Sequence, residues 1–179
     1  MTKINLEDIY EPISINNEIT EFKFQSELKN NNQLDLYVRF SKIDDQFLPN
    51  VFNLAYGPLS DNGYIDDKIK INHKNSNKLF STILFYVITF LDSYPEASVG
   101  IDGSNDVRAY LYHRMFISNQ KELHDLIITI GVDWYVRLLR DGNIEVDSDG
   151  VLFFKPKPEP FDIQRKTNDL YRYYLIKLK

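Results

Sequence analysis

Ser76-Asn77-Lys78-Leu79-Phe80-Ser81-Thr82-Ile83-Leu84-Phe85-Tyr86-Val87-Ile88-Thr89-Phe90-Leu91-Asp92-Ser93 decides the fold. At 3.6 residues per turn, Leu79, Ile83, Val87 and Phe90 line one face, and Phe80, Leu84, Ile88 and Leu91 line the next. A helix apolar over most of its circumference has to be buried centrally. Ser76 or Asn77 is the expected N-cap, and Pro95 stops the helix after Ser93. The apolar run from Leu79 to Leu91 is too short to span a bilayer.

A helix so apolar needs a sheet to pack on, and the preceding residues supply one. Ile19 to Ser26 alternates, with Phe22, Phe24 and Ser26 on one side and Glu21, Lys23 and Gln25 on the other. After a polar turn at 29–33, Leu34, Leu36, Val38 and Phe40 repeat that pattern up to Ile43. Val51 to Tyr56 is a third strand, closed by Gly57-Pro58. Residues 1–18 contain Pro12 and lack a period, so they read as an irregular lead-in; 57–68 reads as a loop, with a short strand at 68–71.

Beyond the core helix, Ala97 to Ile101 reads as a strand and Asp106 to Ile117 as a second helix packed on the sheet. Asn119 with Glu122 suggests a capping box opening a third, short helix. Further C-terminal strands are expected at 126–130, ended by Gly131, and at 134–139, 144–146 and 151–155, with Asp/Gly turns at 141–143 and 147–150. Residues 156–161, with prolines at alternate positions, read as an extended connection, and 170–178 as the last strand. The whole reads as one α+β domain over 1–179, built on an antiparallel N-terminal β-meander with a buried core helix and no second hydrophobic core.

Composition narrows the function classes. There is no cysteine, which excludes disulfides, thiol nucleophiles and thiolate metal sites and fits a cytoplasmic protein. Net charge is −5, no footprint for duplex nucleic acid. Residues 155–179, however, carry seven Lys and Arg against three Asp and Glu. That basic, tyrosine-bearing C-terminal segment reads either as a lysine-protected edge strand or as a binder of single-stranded nucleic acid through stacking and phosphate contacts.

Asp102-Gly103-Ser104-Asn105-Asp106-Val107-Arg108-Ala109-Tyr110-Leu111-Tyr112-His113 holds the candidate chemistry. A strand end, a glycine turn and a helix start gather backbone N–H groups where an anion is received. Ser104 adds a hydroxyl, Arg108 and Tyr112 share a helix face, and His113 titrates near neutrality. Gly103, Ser104, Asn105, Arg108, Tyr112 and His113 are therefore the anion- or ligand-binding candidates. The competing reading makes Ser104 or Asn105 a cap, Gly103 a turn and Arg108 a local partner of Asp102 or Asp106.

No catalytic residue is singled out, and no cofactor motif is present. His73, His113 and His124 lack metal-helix spacing, and Asp61, Asp66 and Asp67 lack that of a calcium loop. An RNase H-like nuclease would need acids on the core helix, and there is none from Leu79 to Leu91.

Phe22-x-Phe24-x-Ser26-Glu27, Asn53-Leu54-Ala55-Tyr56-Gly57, the core helix with Pro95 behind it, and Gly103-Ser104-x-x-x-Arg108-x-x-Leu111-Tyr112 occur in that order. In this the chain resembles the family called domain of unknown function 6934, found mostly in Bacteroidetes, over most of residues 19–131. The stretch 72–77 departs from the family pattern, and 133–169 is longer than usual. The resemblance implies the fold and carries no activity; its association is with accessory or defence-associated partner proteins.

Two functions are thus in view. One is a non-enzymatic binding or regulatory module meeting a protein partner, for which Tyr37, Tyr56, Tyr110, Tyr112, Tyr171, Tyr173 and Tyr174 are the exposed-aromatic candidates. The other is a ligand-binding protein or enzyme acting on a phosphorylated small molecule or nucleic acid at Gly103–Tyr112.

Overall fold

The computed structural model describes every residue except Met1, Lys68, Ser104, Asn105 and Asp141. Eight strands form one sheet: β1 (Pro12–Ile15), β2 (Glu21–Glu27), β3 (Gln33–Lys42), β4 (Val51–Gly57), β5 (Ser98–Asp102), β6 (Ile127–Tyr135), β7 (Lys155–Pro160) and β8 (Tyr173–Leu178). Their spatial order is β1-β2-β3-β4-β5-β8-β6-β7. Helices α1 (Ser76–Ser93), α2 (Asp106–Ser118) and α3 (Gln120–Leu123) complete the α+β fold, with further strands C-terminal to the helices.

The antiparallel meander forms as the alternation requires: Phe22 pairs with Val38 and Phe24 with Leu36, then Val38 with Tyr56 and Phe40 with Leu54. The apolar face takes α1. Phe22 stacks on Tyr86 at 4.5 Å and Phe40 on Phe90 at 4.3 Å, offsets that suit aromatic quadrupoles. The opposite face of β2 and β3 is polar, tied by Lys23–Asp35 and Arg39–Glu21 ion pairs.

The N-cap of α1 lies one residue earlier than the sequence suggests. Asn75, in extended backbone, accepts from the Lys78 N–H at 3.0 Å. The capping box at Asn119 does not form either. Its side chain accepts from the Ile4 N–H at 2.7 Å and donates to the backbone oxygens of Thr2 and Met115, so it ties down the N-terminal segment instead. That lead-in is not wholly irregular: Pro12–Ile15 pairs with β2, with a bulge between Pro12 and Ser14, and proline is tolerated there because β1 is an edge. Of the short strand expected at 68–71, Lys68 lies outside the described residues and 69–71 form no strand; the pairing there comes two residues later, as one bridge between Leu28 and His73.

Three further corrections concern the C-terminal third. First, β6 runs straight through Gly131, because the Tyr171 ring lies against that backbone where a side chain would stand. Second, residues 156–161 are no free connection. Pro156, Pro158 and Pro160 sit in β7, and the Phe161 N–H donates to the Thr129 backbone oxygen, so the odd-numbered positions bond toward β6; Pro158 and Pro160 are exposed on the outward side, while Pro156 is buried. An outward rim without N–H donors protects a sheet edge. Third, β8 is not an edge but lies between β5 and β6. Tyr171 and Tyr174 are fully buried there, which leaves no ring in that pair to stack on a base.

A second, small apolar cluster lies apart from the main core, where the sequence suggested none: Leu48, Val51, Val132 and Leu175, with Tyr173 against them.

Candidate functional site

β4 and β5 are parallel, Asn53 level with Gly100, and α1 lies between them in the chain. The carboxyl ends of both strands therefore point the same way. A cavity of about 50 Å³ lies there, lined by Asn53, Tyr56, Asp67, Asp102, Arg108 and Tyr112. A cleft of about 220 Å³ shares Tyr56 and Asp67 with it and continues past Ile69, Ile71, His73 and Leu79.

Arg108 and Tyr112, one turn apart on α2, both line this crevice. The described contacts of Arg108 are with Asp67. It donates to a carboxylate oxygen of Asp67 at 3.4 Å and to the Asp67 backbone oxygen. Asp106 pairs instead with Arg172 at 2.6 Å. The phenols of Tyr56 and Tyr112 line the cavity together, and burial raises the pKa of both.

The other candidates do not join them. The Gly103 N–H donates to the Arg172 backbone oxygen at 2.9 Å, so that donor is occupied rather than aimed at an anion. Gly103 also lets α2 approach closely, since a Cβ there would stand 3.2 Å from the Ala109 Cα. Ser104 and Asn105, named as hydroxyl donor and cap, lie outside the described residues. His113 is buried at 4% exposure, packs edge-on against Phe161 at 5.1 Å, and its Nδ1 has no hydrogen-bond partner. Burial lowers its pKa, with Arg114 acting in the same direction. It belongs to packing between α2 and the 161–171 segment, away from the crevice.

A serine–histidine contact does exist elsewhere: Ser26 Oγ and His73 Nδ1 are 2.7 Å apart. Ser26 is fully buried, so no substrate reaches its hydroxyl. The pair instead anchors residues 72–74 to the end of β2, beside the Lys74-to-Glu27 backbone bond. Among the described residues no three His, Asp or Glu side chains gather in a way that could hold a metal ion. None of the helices is long and apolar enough to cross a membrane among those same residues.

Sequence reasoning missed Tyr56 and Asp67 as crevice residues, although both lie in stretches it noticed, Asn53–Gly57 and the Asp66-Asp67 loop. It also missed a surface. Past Tyr135 the chain forms a small three-stranded meander in which Leu138 bridges Ile144 and Val146 bridges Leu152. Cross-strand partners share a face, as do residues two apart, so these four side chains lie together. They are 69%, 44%, 48% and 43% exposed. The reverse face carries Glu145, bonded to Lys155 at 2.8 Å, and Phe153, packed on Phe47 at 5.9 Å. The tyrosines expected to form an interface offer no exposed cluster: Tyr112 and Tyr171 both pack on Tyr174 in the buried core, and Tyr110 is 49% exposed.

Fold and crevice together define an α+β protein in which the parallel pair of β4 and β5 opens on a polar pocket. The chain belongs to a family of unknown function (DUF6934), whose model matches residues 6–139. No curated protein and no solved structure matches it.

Proposed function

We propose that this chain is a non-enzymatic binding or regulatory module of the cytoplasm, working through a protein partner that covers the outward face of the 137–153 meander. The observation that carries this reading is the shared exposure of Leu138, Ile144, Val146 and Leu152. A sheet with one face packed and the other apolar in water is an interaction surface more often than an accident. A protein partner fits that face better than nucleic acid, because all four side chains are uncharged aliphatics. The full burial of Ser26 and the contacts of Arg108 with Asp67 support a role without catalysis.

The test uses the tagged protein recovered from its own host after cross-linking, alongside the double variant Leu138→Asp, Val146→Asp. A specific cross-linked protein lost in the variant supports the reading, and one encoded beside a defence system would give it a pathway. Equal recovery from both forms, or none from either, sinks it. Thermal melting of the variant checks that the fold survives.

A further inference from the structure

The outward face of the 137–153 meander reaches further than its four bridged side chains. Trp134 pairs with Pro156 and Tyr135 with Lys155, and that register, continued, sets Phe154 opposite Val136 and Leu152 opposite Leu138. Strand alternation therefore puts Trp134 and Phe154 on the face that Leu138 and Leu152 occupy. The two rings are 43% and 53% exposed. Every even-numbered position in 134–138, 144–146 and 152–154 is apolar. The ion pairs of this region, Arg137 and Lys155 with Glu145, belong to the reverse face.

What covers such a face is limited by symmetry and charge. A two-fold axis sets each side chain near it against its own copy, which an uncharged surface tolerates and a charged one resists. At these exposures two copies would remove about 1,200 Å² from water, the low end of specific interfaces. The ends of the middle segment are complementary as well. Among the described residues, the 139–143 turn carries one charge, Arg140, and the 147–150 turn carries Asp147 and Asp149. Residues 144–146 separate the two turns, so an axis crossing that segment brings each copy's Arg140 to the other's acidic turn.

We infer that the chain forms a two-fold homodimer through this face, with Leu138, Ile144, Val146 and Leu152 at its centre and Trp134 and Phe154 flanking them. The inference rests on the reading that a protein covers the meander, and it names that protein as a second copy of the chain. Aromatic rings beside an uncharged aliphatic centre have the composition of an interface core. The net charge of −5 makes copies repel over the rest of their surface, so the uncharged face is where they meet.

Sedimentation velocity of the purified full chain is the test. The wild type should sediment as a dimer at about 100 µM, a concentration that reveals any micromolar association, and Leu138→Asp, Val146→Asp should sediment as a monomer. Arg140→Asp should weaken the dimer about tenfold, the worth of the two exposed pairs that the axis creates. Adding Asp149→Arg to it should restore the dimer. These charge variants decide the matter should the apolar variant not fold. A monomeric wild type, a folded apolar variant that still dimerises, or Arg140→Asp as tight as wild type overturns the proposal, as does no recovery with Asp149→Arg. A wild type monomeric alone, yet cross-linked to a different protein in its host, removes the second copy and leaves the partner reading standing.

Discussion

The ring of Tyr171 lies against the backbone of Gly131: a methyl group on that glycine would stand 2.3 Å from Cε1 and from Cζ. Tyr171 is fully buried, and the Arg165 guanidinium stacks on its ring 3.7 Å from the centroid. The ring therefore has no space to retreat into. Gly131→Ala should destabilise the protein by about 2–3 kcal/mol through overpacking. Urea unfolding would register this as a lower midpoint at constant slope; a midpoint unchanged from wild type would mean that the ring moves freely.

Asn119 is the clamp on the N-terminal segment. Removing its side chain leaves the Ile4 N–H without its acceptor at a buried site, a cost of about 1–3 kcal/mol. Asn119→Ala should also speed amide exchange at residues 3–10, while exchange in β2 and β3 stays slow. Asn119→Asp keeps the acceptor but turns a carboxylate toward the oxygens of Thr2 and Met115, so it should not rescue.

Stability should decline with acid in two stages. His73 and His113 both have pKa values lowered by burial from the ordinary 6.5. The unfolded chain then binds more protons than the folded one just below pH 6.5, so stability is full above that value and falls as pH drops through it. Glu145, lowered by its bond to Lys155, and Glu159, lowered by Tyr171 and then Arg165, add a second loss as pH falls below about 4.5. Urea midpoints from pH 8 to pH 2.5 would show both, and His113→Gln should flatten the upper stage. A midpoint constant from pH 7 to pH 5.5 would contradict the account.

The prolines of β7 make a different prediction. Changing Pro158 and Pro160 together to Ala gives the exposed outer rim of the sheet two N–H donors that it now lacks. Such a protein should self-associate at concentrations where the parent stays unchanged in light scattering. If it does not, the prolines serve another purpose than guarding the edge.

Much of this architecture is legible in the residues. Phe22/Phe24 against Glu21/Lys23 assigns both faces of β2, and the all-round apolar run at 79–91 places α1 under the sheet, because periodicity and burial are local signals. What is not legible depends on partners far away in sequence. Gly131 looks like a strand terminator until Tyr171 is set against it, and Asn119 looks like a cap until Ile4 arrives. At the crevice, Arg108 and Tyr112 are visible through helical spacing. Asp67 is not, since its approach depends on how the 57–75 loop returns.

The place of β8 in the sheet has a consequence for how the protein is made. Residues 173–178 leave the ribosome after every other strand, yet they lie between β5 and β6 and pair with both. Until they emerge, β1 to β5 and the β6–β7 hairpin are two half-sheets, each with a bare inner edge. The last strand acts as a keystone, and a stall or nick just before it would leave two sticky rims open to any passing extended chain.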